Sequence, residues 1–108
     1  MSMQTLGKLT LTAGGTPQQF IATQTNVRGF FIESVLGNVG QIFIGTKTLV
    51  KATLAGVYRV IPAPTATTGA TILLPAWDHV TDVAGPFDLS TFYFDGTTGD
   101  AILVGYVT

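Results

Sequence analysis

Apolar and polar residues alternate from the start of the chain. "LGKLTLTA" (residues 6–13) sets Leu9 and Leu11 on one side and Lys8, Thr10 and Thr12 on the other, the period-two pattern of a half-buried strand. Further short runs follow: "QQFIAT", "VRGFFIESV", "GQIFIGT", "TLVKA", "VYRVI", "ATILL", "STFYF" and "AILVGYV". Gly, Asn and Pro punctuate them, and no stretch holds a helical spacing of apolar residues unbroken. Eight or nine short strands are predicted, in one all-β domain over residues 1–108, a sandwich or a barrel. "FDGTTGDA" reads as a hairpin between the last two strands, with Gly96 and Gly99 supplying the positive φ such a loop needs.

One segment breaks the rhythm. Pro62, Pro64, Pro75 and Pro86 fall within residues 62–86, which predicts a long, extended surface loop that avoids regular ladder bonds. It carries the only Trp, Trp77, and the only His, His79.

The later strands are apolar on both sides. Phe30 and Ile32 oppose Phe31 and Val35, and Ile42 and Ile44 oppose Phe43. Phe92 and Phe94 oppose Leu89 and Tyr93, while Ile102, Val104 and Tyr106 oppose Ala101, Leu103 and Val107. An antiparallel sheet with one wet face would be polar at every second position. Burying one large apolar side chain contributes about 1.5–3 kcal/mol, so something is expected to cover the second face. Two covers fit: the 62–87 segment strapped across it with Trp77 as a plug, or a second subunit.

Composition favours association. Charged residues are 10% of the chain, against about 25% in an average soluble domain, and their place is taken by eighteen Thr and thirteen Gly. Such a surface has little charge to repel neighbours. The charges also divide along the chain. Residues 1–59 hold five Lys and Arg against Glu33, net +4, and residues 60–108 hold five Asp and no base, net −5. Interleaving of the two halves in the fold is the plainer expectation; docking of a basic patch on an acidic one is the alternative.

A net charge of −1 gives no footprint for nucleic acid or a membrane surface. "MSMQTLGK" lacks the basic start and apolar core of a signal peptide, and no apolar run approaches the roughly 18 residues of a membrane span, so a soluble protein is expected. The absence of Cys removes disulfides and thiolate metal sites and fits synthesis in a reducing cytoplasm.

Candidate chemistry is sparse. Asp78, His79 and Asp82 could offer two oxygens and a nitrogen to a divalent ion, but the spacing matches no common site and a solvated loop histidine is the plainer reading. Ser34 and Ser90 lie on no nucleophile elbow. "DGTTGD" has Asp95 and Asp100 flanking glycines without the ligand ladder of a calcium loop, which leaves a polar hairpin tip. Glu33 is the only Glu, so no carboxylate pair for glycoside hydrolysis stands out. Neither an enzyme nor a cofactor is expected.

"FDLSTFYFDGTTGDAILVGYV" (87–107) resembles a pattern found in small structural proteins of tailed bacteriophages, in which a "DLS" segment leads through aromatics and a Gly/Asp loop into a final apolar strand. "GNVGQIFIGTKTLVKAT" (37–53) is similar to the Gly-aromatic-Ile-Gly strand that precedes it there, so the likeness spans residues 27–107. It departs at Asp100-Ala101, where a second Gly is expected, and in the Trp77 loop. The resemblance implies an antiparallel, jelly-roll-like β-sandwich located in the virion. Its implied role is a head decoration, or cement, protein: a homotrimer bound to the major capsid protein, bracing the shell and binding neither nucleic acid nor membrane. Interface residues are expected among Phe30, Phe31, Trp77, Tyr93 and Tyr106. A neck, tail or fibre-base component of the same fold is one alternative, and a carbohydrate-binding module that stacks sugars on Trp77 is another.

Overall fold

Alternation decides the inner faces. Phe30 and Ile32 of one strand, Ile102 and Val104 of its neighbour, and Ile42, Ile44 and Phe94 from elsewhere in the chain all point into a single buried cluster. The computed structural model describes residues 3–66, 73–74, 77–81 and 87–108; for 65–66, 73–74 and 77–81 the backbone alone is described. Among the described residues, no helix is long and apolar enough to cross a membrane. They form β1 (Met3–Thr10), β2 (Gln18–Gln19), β3 (Asn26–Val27), β4 (Gly29–Ser34), β5 (Ile42–Val50) and β6 (Ala55–Ile61). There follow β7 (Thr65–Ala66), β8 (Leu73–Leu74), β9 (Trp77–Thr81), β10 (Phe87–Asp88), a 3₁₀ turn (Leu89–Thr91), β11 (Tyr93–Asp95) and β12 (Ala101–Val107).

Two four-stranded sheets enclose the core, ordered β1-β12-β4-β9 and β2-β11-β5-β6, with every pairing antiparallel. Two-stranded ladders join β3 to β10 and β7 to β8. Counting the eight strands of the large sheets in chain order, the sheets read 1-8-3-6 and 2-7-4-5. The chain therefore changes sheet at almost every connection, and β5–β6 is the one pair of successive strands that stays together. This is the predicted all-β sandwich.

Aromatic rings join the two sheets. Phe30 of β4 lies 5.0 Å from Phe92 and 6.0 Å from Phe20, and Phe20 lies 5.8 Å from Phe94 of β11. Edge-to-face pairs of this kind add about 0.5–1.5 kcal/mol each beyond their buried area. Leu89, expected opposite Phe92 and Phe94 on a strand, lies on the 3₁₀ turn and is fully buried in the same core.

Two connections differ from expectation. "FDGTTGDA" is not a hairpin, because β11 pairs with β2 and β5 while β12 pairs with β1 and β4. The loop arches from one sheet to the other. Gly99 has the expected positive φ of 92°, but Gly96 does not; a Cβ on Gly96 would stand 2.8 Å from the Gln41 carbonyl oxygen, so Gly96 serves close approach. The Pro-rich segment also forms ladders: Thr65 and Ala66 pair with Leu74 and Leu73, and β9 extends the first sheet beside β4. β9 thus widens the first sheet at its edge and does not lie across its face, while β7 and β8 form a separate ladder.

Candidate interaction surface

Register shows what the outer face of the first sheet contains. Residues paired across neighbouring strands share a face, so rows of residues cross it, Met3, Val107 and Gly29 at one end and two more at its middle. Lys8 of β1, Leu103 of β12 and Glu33 of β4 form one row, with Trp77 of β9 at the same level. Thr5, Gly105 and Phe31 form the other, with His79 at the same level. Leu103 is 41% exposed and Phe31 39%, while the side chains next to them in sequence, Ile102, Val104, Phe30 and Ile32, are buried.

Gly105 shapes this face. A Cβ there would clash with Phe31 Cζ, so the tip of the ring occupies the space the glycine leaves open on β12. Beside it is a shallow depression of about 460 Å³ lined by Met3, Thr5, Phe31, Glu33, Leu103 and Gly105. At the β1 edge the chain bulges between Thr5 and Gly7. Gly7 takes φ 73° and donates its N–H to Thr5 Oγ1 at 2.8 Å, and that hydroxyl donates to the Val104 carbonyl at 3.2 Å. The bulge fixes the register that sets Lys8 level with Leu103.

The five interface candidates do not converge. Phe31 is on this outer face. Phe30 is only 2% exposed, ringed by Phe20, Phe87 and Phe92, and offers a partner no surface: with apolar residues on both sides, alternation could not say which side faced inward. Tyr106 packs half-buried against the core. Tyr93 is half-buried and alternates with the buried Phe94 in the other sheet, so it stands on the far side of the molecule from Phe31. Trp77 pairs with Glu33 through the backbone, and its side chain lies outside the described residues. Leu103, Lys8 and Gly105 were not among the candidates. A glycine inside an otherwise apolar strand was the available signal.

Three aspartates of the second half, Asp88, Asp95 and Asp100, accept hydrogen bonds from the backbone. Asp95 is 1% exposed and accepts N–H bonds from Gly15 (2.9 Å) and Gly96 (2.7 Å). Asp100 is 4% exposed and accepts from Val39 (3.0 Å) and Gly40 (2.9 Å). Asn38 braces the same place, donating to the Ala101 carbonyl at 2.7 Å and accepting the Ala101 N–H at 2.8 Å. Lys51 donates to the Gly96 carbonyl at 2.5 Å. "DGTTGD" is thus a clasp holding three loops together, and its carboxylates are turned inward.

Asp88 caps the 3₁₀ turn, accepting from the N–H groups of Thr25 and Ser90, both at 3.0 Å, and from the Ser90 hydroxyl at 2.8 Å. These bonds, led by that from Thr25, hold its carboxyl below the usual aspartate range. The charge asymmetry of the sequence follows: Lys8, Arg28, Lys47 and Arg59 are exposed, whereas Asp95 and Asp100 are buried. Both halves of the chain contribute strands to each sheet, so the two signs are interleaved.

Among the described residues, no group of His, Asp and Glu is placed to hold a metal ion. His79, expected in a loop, lies by its backbone in β9 next to Asp78, while its side chain and the whole of Asp82 are outside the described residues. What remains is a surface: an apolar strip on β12 and β4 between one basic and one acidic side chain. Compared with protein-family models, curated proteins and solved structures, the chain matches none of the three.

Proposed function

We propose that this protein is a structural component of a bacteriophage virion, a decoration subunit that binds the major capsid protein and braces the shell through buried contact area. The single observation that carries the reading is the Phe31–Leu103 strip, exposed on a sheet whose other side packs into the core. A free monomer gains nothing from it, whereas an assembly covers it.

Two further features support the role. The sheet orders 1-8-3-6 and 2-7-4-5 fit two interlocked Greek keys, which supports a jelly-roll reading, an arrangement common to viral capsid and lectin domains. The low charge density suits close packing among copies and against a shell, where each contact adds area that must separate before the shell opens.

The test is addition of the purified protein to heads of the encoding phage that lack it. Saturable binding, with heads that withstand higher temperature before releasing DNA, is the expected result. No binding at micromolar concentration would remove the decoration role. Binding to tail or neck complexes alone would move the subunit within the virion.

A further inference from the structure

The outer face of the first sheet is complementary to itself, and we propose that it pairs two copies of this chain about a twofold axis running along β12. A half-turn about that axis lays β12 on the partner's β12, β1 on the partner's β4, and β4 on the partner's β1. The order Lys8–Leu103–Glu33 along its row then meets Glu33–Leu103–Lys8 of the second copy. Opposite charges meet at both ends of the row, and leucine meets leucine in the middle.

The second row behaves in the same way. Thr5–Gly105–Phe31 meets Phe31–Gly105–Thr5, so each bulky ring faces a small residue and glycine faces glycine. Rings that stood opposite one another would hold the sheets apart. This arrangement permits the usual separation of about 10 Å between packed sheets, with a mutual rotation near 30° that a lysine side chain can span.

Charge selects a second copy over another occupant. Among the described residues neither the Lys8 nor the Glu33 side chain has a hydrogen-bond or ion-pair partner, although each stands next to apolar surface. They are separated by β12, so they meet across the pair more readily than within one chain. β9 overhangs the partner's β1, so three strands about 4.8 Å apart and about 23 Å long overlap, roughly 330 Å² per copy, and the pair covers about twice that before side-chain relief is counted. Specific contacts begin near 1,000–1,200 Å², so a reversible dimer is expected. The phage resemblance implies trimers; the symmetry of this face is twofold.

Pairing uses the same strip that carries the virion reading, but its test needs only the chain, so failure to pair and failure to bind heads are read separately. Sedimentation equilibrium of the full chain from 1 to 200 μM (roughly the range spanned by reversible complexes) tests it, with Lys8→Glu, Glu33→Lys and the double reversal beside the unaltered protein. Each single reversal sets like charges together twice per pair and is expected to weaken the dimer at least tenfold. The double reversal restores opposite charges and is expected to recover most of the affinity. Circular dichroism establishes that each variant is folded, and Leu103→Ser, a mild change at an exposed site, provides a second disruption independent of charge. An unaltered protein that is monomeric or trimeric throughout, or single reversals that leave the dimer unchanged, would overturn the proposal.

Discussion

The clasp at Asp95 and Asp100 and the outer face at Phe31 and Leu103 reverse the usual placement of residue types. At the clasp, carboxylates are buried and accept backbone N–H groups from three loops. On the outer face, a phenylalanine and a leucine remain in water. An unpaired buried polar group costs about 1–3 kcal/mol, so the clasp is complete within one chain. The uncovered apolar strip costs the fold little, because the unfolded chain exposes it as well. One region therefore determines stability, and the other is available for association.

Substitutions separate the two regions. The largest expected loss is at the clasp. Asp100→Ala leaves the Val39 and Gly40 N–H groups without acceptors and is expected to lower unfolding free energy by about 2–4 kcal/mol in urea titrations, with self-association of the folded protein unchanged. Phe31→Ser is expected to do the converse: stability of the monomer within about 1 kcal/mol of the original, and association reduced more than tenfold in sedimentation. A Phe31→Ser variant that failed to fold would place the ring among the structural residues and erase the contrast.

Smaller effects sharpen the picture. Leu54 has φ 62° at an exposed turn, where a non-glycine residue pays about 1–2 kcal/mol, and Leu54→Gly is expected to raise the thermal midpoint slightly without altering mass. The smallest effect concerns Asp88, whose folded carboxyl titrates below its unfolded value. Its contribution is therefore fully present above pH ~3.9 and is lost as pH falls through the lower, folded value. The stability difference between the original protein and Asp88→Leu is expected to be constant from pH 7 to 5 and to shrink below pH 4. A difference that grew on acidification would contradict the cap.

What sequence revealed about this molecule was local. Alternation along β4 and β12 located two-sided apolar strands, because the pleat is fixed by neighbouring residues. Alternation could not tell Phe30 from Phe31, since orientation depends on which other strands supply the core. The arch at Asp95–Asp100 read as a hairpin for the same reason: Gly and Asp turn the chain equally well whether the flanking strands pair with each other or with strands far away. The inward Asp95 and Asp100 escaped because charged residues at turns are normally solvated, and their partners come from residues 15 and 39–40. β9 was hidden by the prolines around it, although "HVT" carries the β-branched residues of a strand. The register that aligns Lys8, Leu103 and Glu33 depends on a bulge at Gly7 that spacing alone does not show.

Because the chain has no cysteine, one introduced thiol reports its own neighbourhood. Leu103→Cys treated with a bismaleimide spanning about 10 Å, the distance between packed sheets, measures directly whether this face meets its own copy. A covalent dimer is expected in high yield from Leu103→Cys and in low yield from Lys47→Cys on β5 of the other sheet. Equal yields from the two, or none from Leu103→Cys, would show that the strip is not covered by a second copy.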